Sequence, residues 1–143
     1  MKFLIALIIL TYSFFINAGE LEKKELIYSN LMDDIIACST YYSISAEGLK
    51  RAKNPEAEAI MNLSNRFGIM ALNVAKEINL KEETIQSKFK LHSNNQLKIL
   101  DYDYKNLSLL ILEYNEKCVS WLSDEFQSRL IFWTEDYLKR FGE

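Results

Sequence analysis

The sequence predicts an all-α fold: a small antiparallel bundle of four or five helices joined by one inter-helix disulfide. Three observations carry that expectation. The chain of 143 residues holds one Pro and four Gly, too few for a turn-rich β architecture. Apolar residues recur at steps of three and four along most of its length, a period that suits helices and that no strand can present. The only two cysteines, Cys38 and Cys118, both fall on such apolar stripes.

The length suits a single domain, and a composition 49% hydrophobic is enough to build a core. The net charge of −3 is spread over both signs. No basic stripe is available to neutralise phosphates, which argues against a nucleic-acid partner.

Met1-Lys2 supplies a positive start, Phe3–Ile16 is an uninterrupted apolar run, and Asn17-Ala18-Gly19 leads into the charged string Glu20–Glu25. This is the layout of a secretory signal peptide, with cleavage expected after Ala18. Residues 1–18 are then a leader and 19–143 one helical-bundle domain, exported to the periplasm or the outside of the cell. The rival reading is an uncleaved anchor, but a spanning helix needs about 20 apolar residues, more than this run offers. Once the leader is removed, no stable membrane span is expected.

The first helix of the exported domain is expected over Leu21–Ala52. Ile27, Leu31, Ile35, Cys38, Tyr42, Ala46 and Leu49 define its buried face, while Asp33, Asp34, Glu47, Lys50 and Arg51 fall outside that stripe. Asn54-Pro55 ends it, because proline disfavours the helical conformation of the residue before it. The same residues open a second helix: Asn54 caps, Pro55 takes the first helical position and Glu56 favours the positive dipole end. Its stripe is Ile60, Leu63, Phe67, Met70, Val74 and Ile78, opposite Glu58, Asn62, Asn65, Asn73 and Lys76.

A shorter third helix is expected over Leu80–Leu91, with Asn79 and Glu82 as a capping box and Ile85 and Phe89 as its apolar edge. His92-Ser93-Asn94-Asn95 reads as a polar break. Ser93 and Gln96 then repeat the capping-box spacing and open a long helix, Gln96–Trp121. Its heptad seam is Leu97, Leu100, Tyr104, Leu107, Ile111, Tyr114, Cys118 and Trp121. A last helix, Asp124–Arg140, is expected to start on a Ser123-Asp124 cap, or to continue the seam helix through a kink. Phe126, Leu130, Trp133, Tyr137 and Phe141 make one apolar face, with Ile131, Phe132 and Leu138 beside it.

Export makes pairing the default for two cysteines, so a Cys38–Cys118 disulfide is expected. Neither belongs to a Cys-x-x-Cys motif and neither has a neighbour pattern suited to a reactive thiolate, which makes the bond structural.

No catalytic constellation emerges. His92 is the sole histidine, and no nucleophile elbow exists to serve it. The residue three before it is Phe89, so the Glu-x-x-His pattern of di-iron bundles is missing. Asp33-Asp34, Glu82-Glu83, Asp124-Glu125 and Glu135-Asp136 are adjacent acids, and neighbours on a helix point about 100° apart, so none is a ready carboxylate dyad. No cofactor is expected. The alternative reading is a cofactor- or metal-binding bundle or enzyme, with its site assembled between helices; a haem held by His92 and one of Met32, Met61 or Met70 is its most concrete form.

The aromatic content points elsewhere. Tyr42, Tyr104, Tyr114 and Trp121 obey the helical stripes and are expected in the core. Ile131, Phe132 and Trp133 cannot all be buried by one helix face, and with Tyr137 they form the candidate interaction patch. The sequence therefore points to a small exported helical protein that works by binding, through a protein partner or self-association at its C-terminal helix.

Overall fold

The computed structural model describes the backbone of residues 2–122 and 126–142, and the side chains of 19–122 and 127–142. Five α-helices follow one another: α1 Lys2–Arg51, α2 Ala57–Glu77, α3 Glu82–Ile99, α4 Leu107–Ser120 and α5 Phe126–Phe141. A single 3-10 turn, Tyr104–Asn106, leads into α4. The described residues contain no strand. The helix expected from Leu21 begins further back, at Lys2, and ends where Asn54-Pro55 requires. The expected Ser123-Asp124 cap lies outside the described residues.

The centre of the molecule is α1. From Leu31 to Ala46 every side chain is buried except those of Asp33 and Ser43, which are half-buried. A helix buried around its whole girth needs neighbours on all sides, and α2, α3, α4 and α5 each pack on it. The sequence pattern had assigned this helix a single inward stripe. The difference lies in composition: between Leu31 and Ala46 there is no basic residue and the only acids are Asp33 and Asp34, so little forces any side outward.

The neighbours alternate in direction. Ser39 faces Ser64 and Lys24 pairs with Glu77, so α2 runs against α1. Asp33 meets Lys88 and Ala37 meets Gln96, so α3 runs with it. Tyr41 meets Asn115 and Cys38 meets Cys118, so α4 runs against it, and α5 continues that direction through Asp34–Trp133 and Lys23–Tyr137. The result is an up-down-up-down bundle whose fourth leg comes in two pieces.

The α1–α2 contact is built on small residues. The Ser39 hydroxyl donates to the Ser64 carbonyl and the Ser64 hydroxyl donates back to the Ser39 carbonyl, each at 2.9 Å. Ala71 and Ala75 continue this face without a side chain long enough to hold the helices apart. Thr40, also on the buried stretch, satisfies its hydroxyl inside its own helix by donating to the Ile36 carbonyl at 3.0 Å.

The Asn54 side-chain oxygen accepts from the Glu56 amide at 2.9 Å, as a cap would, but α2 starts at Ala57, so Pro55 stands in the turn before the helix and not at its first position. Asn79 does not act as the expected cap. It takes a left-handed φ of 50° and closes α2, with the Leu80 amide donating to the Ala75 carbonyl at 3.0 Å. The residue before α3 is Lys81, which makes no side-chain cap bond. Asn serves both roles because its short amide tolerates the left-handed conformation as well as capping.

The seam helix is interrupted. Residues His92–Asn95 are helical rather than a break, and α3 continues to Ile99. The cause is Gln96, whose fully buried side chain donates to the Ala37 carbonyl at 2.7 Å and ties this turn to α1. Two residues then turn left-handed, Asp101 (φ 51°) and Tyr102 (φ 56°). Asp103 accepts from the Lys105 amide and Asn106 donates to the Leu100 carbonyl, both at 3.0 Å, which fixes the turn. The interruption resets the helical phase: Leu110 is fully buried, whereas Ile111 is 42% exposed. The other seam residues keep their inward positions.

Cys38 and Cys118 are joined, with a Cα–Cα distance of 5.4 Å and both side chains fully buried. The bridge closes a separation of 80 residues. The paired substitution Cys38→Ala and Cys118→Ala is expected to lower unfolding stability by about 4–5 kcal/mol on the chain-entropy scale, measured by urea denaturation. A loss below about 1 kcal/mol would refute that role for the bridge.

Candidate interaction surface

Asp33 and Asp34 follow one another on α1, so their carboxylates leave the helix about 100° apart and reach different neighbours. Asp34 is 8% exposed. Its Oδ2 accepts from the Trp133 indole Nε1 at 2.9 Å, and its Oδ1 is paired with the Lys117 ammonium. One buried carboxylate thereby fastens both α4 and α5 to the central helix, one turn from the disulfide. This corrects the expectation that Asp34 lies outside the buried face.

Asp33 faces α3. Lys88 approaches it at 2.6 Å and His92 Nε2 lies 3.4 Å from its Oδ1, a contact that needs the proton on Nε2. Partial burial pushes the Asp33 pKa upward. The hydrogen bonds from His92 and Lys88 and their charges outweigh that effect and hold it below its ordinary value of 3.8.

The four residues of the expected C-terminal patch separate. Trp133 turns inward to Asp34, and Tyr137 lies half-buried beneath the Lys23 ammonium, 5.6 Å from the ring centre. Ile131 and Phe132 stay outside, 51% and 52% exposed. Being adjacent on a helix, they point about 100° apart: Ile131 aligns with the exposed Leu138 two turns on, whereas Phe132 stands one turn beyond Arg129. Phe132 also sets its ring edge-on to Trp133 at 5.1 Å, so the inward anchor fixes the outward ring.

Arg129 lies at the junction of the two pieces of the fourth leg. It donates to the Ser120 hydroxyl at 3.0 Å and stands 5.6 Å from the centre of the buried Trp121 ring. Beside it is a groove of about 430 Å³ with Leu112, Glu113, Glu116 and Lys117 on its α4 side. Leu112 is 83% exposed, and Leu109 and Val119 are exposed on the same helix. The groove is thus polar, with the exposed Leu112 of α4 at its border and Arg129 as its α5 side. The sequence reading assigned α4 to the interior and missed these residues. The signal was present in Leu109-Leu110-Ile111-Leu112, four successive apolar residues that one helix face cannot bury.

Tyr41, Tyr42, Phe67 and Tyr114 belong to the core. Tyr41 and Tyr42 pack on each other, Tyr41 stacks on Tyr114 and Tyr42 on Phe67. Burial, reinforced by the neighbouring Tyr41, pushes the Tyr42 hydroxyl up to about 12. Such phenols stay neutral and serve packing.

Among the described residues no three His, Cys, Asp or Glu side chains gather as a metal-binding group. Within residues 19–122 and 127–142 no helix is long and apolar enough to cross a membrane. Comparisons of the chain with protein-family models, curated proteins and solved structures give no match.

Two outcomes follow from the carboxylate pair. Trp133→Phe keeps the ring but leaves Asp34 short of a donor, and is expected to cost about 1–3 kcal/mol in urea unfolding; an unchanged midpoint refutes the anchoring role. For Asp33 the folded pKa lies below the unfolded one, so its contribution is complete above 3.8 and is lost as pH falls below that value. Asp33→Asn should therefore lose less stability than the native chain as the pH is lowered through and below 3.8. Identical pH profiles would contradict this.

Proposed function

We propose that this chain is an exported helical protein that acts by binding a protein partner through the outer side of α4 and the Phe132 side of α5. The observation that carries the reading is the exposure of Leu112 on a polar groove that α4 shares with Arg129 of α5, with Phe132 exposed one turn further along α5. Large apolar side chains in contact with water mark interaction surfaces when they border one another, and a recognition surface combines apolar anchors with satisfied polar groups. The partner this arrangement suits presents apolar side chains to Leu112 and Phe132 and polar groups to Glu113, Glu116 and Arg129.

Export is supported by the buried Cys38–Cys118 pair, because such bonds persist in oxidising compartments. On this reading the exported form begins at Gly19. Its intact mass reads that directly, and a mass starting at Met1 contradicts it.

A photo-reactive side chain introduced at Phe132 in exporting cells should give an adduct of one defined mass, while one at Asn65 on the exposed side of α2 gives none. Leu112→Ser should reduce the Phe132 adduct on the order of tenfold, as expected for loss of an interface anchor, with unchanged melting. An adduct of twice the chain mass assigns the surface to self-association instead. Equal labelling at Phe132 and Asn65 sinks the proposal.

A further inference from the structure

Among the described residues, four other than glycine have positive φ: Lys53, Asn79, Asp101 and Tyr102. The first three have an ordinary reason, since each closes a helix. The residue after each donates its amide back across the last turn: Asn54 to Leu49, Leu80 to Ala75 and Tyr102 to Leu97, at 2.9, 3.0 and 2.9 Å. Tyr102 is different. The closure of α3 is complete at Asp101, yet Tyr102 also sits at φ 56°. A bulky aromatic residue is strained there, and such strain persists where the surroundings impose it. Packing does not explain it, because the ring is 63% exposed.

The ring stands at the edge of a cleft of about 420 Å³ at the end of the bundle where α1 finishes. That volume lies within the range of small-molecule sites. Gly48 lines the cleft, and a Cβ there would stand 3.2 Å from the Leu107 side chain and 3.3 Å from the Tyr104 ring, a tight fit that those side chains would have to shift to relieve. Arg51 and Lys105 supply positive charge, and Asp103 on the same lining supplies one carboxylate, whose Oδ1 accepts from the Lys105 amide. The Arg51 guanidinium is held in place twice, by Nε donating to Glu47 at 2.9 Å and by resting 4.3 Å from the centre of the Tyr104 ring. Those contacts leave its terminal amino groups without an acceptor among the described residues. The Lys105 ammonium likewise has no acidic partner among them.

A fixed guanidinium with open donors is suited to a planar oxyanion, a second cation adds to that charge, and an exposed phenol ring offers a stacking face. We propose that the cleft between Tyr102, Arg51 and Lys105 binds a small ligand that joins an anionic oxygen group, phosphate or carboxylate, to a flat ring. The anion lies on Arg51 and Lys105, and the ring lies against Tyr102. This site is at the opposite end of α4 from the Arg129 junction, and does not depend on the protein-binding surface.

The test titrates the disulfide-intact chain with phenyl phosphate, inorganic phosphate and benzyl alcohol, following the amide signals of Tyr102 and Lys105 and the Arg51 Nε–H signal by NMR. Phenyl phosphate should saturate these shifts with a dissociation constant at least about tenfold below that of inorganic phosphate, and benzyl alcohol should not saturate them. Lys105→Gln should weaken phenyl phosphate by about tenfold. Tyr102→Gly should remove the preference for the ring while raising the melting temperature by a few degrees, because glycine accepts this φ without strain. A gain in stability together with a loss of binding separates the site from simple unfolding. Absence of saturable shifts, equal affinity for the two phosphates, or binding untouched by both substitutions overturns the proposal.

Discussion

The complete burial of the middle of α1 is the constraint on which the rest of the structure depends. A helix buried over most of its girth draws hydrogen-bond partners for its polar groups from its own backbone and from neighbouring elements, since a buried group left unpaired costs more than a typical hydrogen bond contributes. Each surrounding helix answers one of those demands or adds a covalent link. Ser64 of α2 exchanges hydrogen bonds with Ser39, Gln96 of α3 donates to Ala37, Cys118 of α4 bonds to Cys38, and Trp133 of α5 donates to Asp34. The contacts fall within about one and a half turns of α1, so they act as one cross-section rather than as separate braces.

That arrangement decides what is left outside. The neighbours of a central helix need only one narrow apolar stripe each, and α4 carries more than it needs. Its inward residues are Leu110, Tyr114 and Cys118, and its surplus, Leu109 and Leu112, faces water. On α5 the inward Trp133 forces Phe132 outward, because consecutive helical positions cannot share a direction. Local rules of stability are set aside at two places: the apolar outer face of α4 with Phe132, and the left-handed Tyr102 beside the cleft. Natural chains tend to break such rules where another molecule is handled.

Much of the architecture was legible from periodicity. The α2 stripe from Ile60 to Ile78 and the inward seam positions Leu100, Cys118 and Trp121 were readable because three-and-four spacing is a local property of the chain. So was the end of α1 at Asn54-Pro55. The cysteine pair followed from both residues lying on such stripes. Asn79 and the Asp101–Asn106 turn were not legible in the same way, since Asn and Asp cap helix starts and accept left-handed helix stops with similar ease. Gln96 shows the same difficulty: a polar residue after Ser93 resembles a capping partner, and only the nearby Ala37 carbonyl makes it a buried donor inside α3.

The sequence by itself determined the helical class and made Cys38 and Cys118 each other's single possible partner, because these depend on the period of apolar residues and on there being only two cysteines. Tertiary structure alone decided that α1 is enclosed on every side, that Asp34 is a buried anchor and that Leu112, Phe132 and Tyr102 face outward. The physical reason is that a periodic stripe specifies which residues of one helix share a face, but not how many neighbours that helix has. Exposure depends on the number of neighbours, and that number is a property of the assembled bundle.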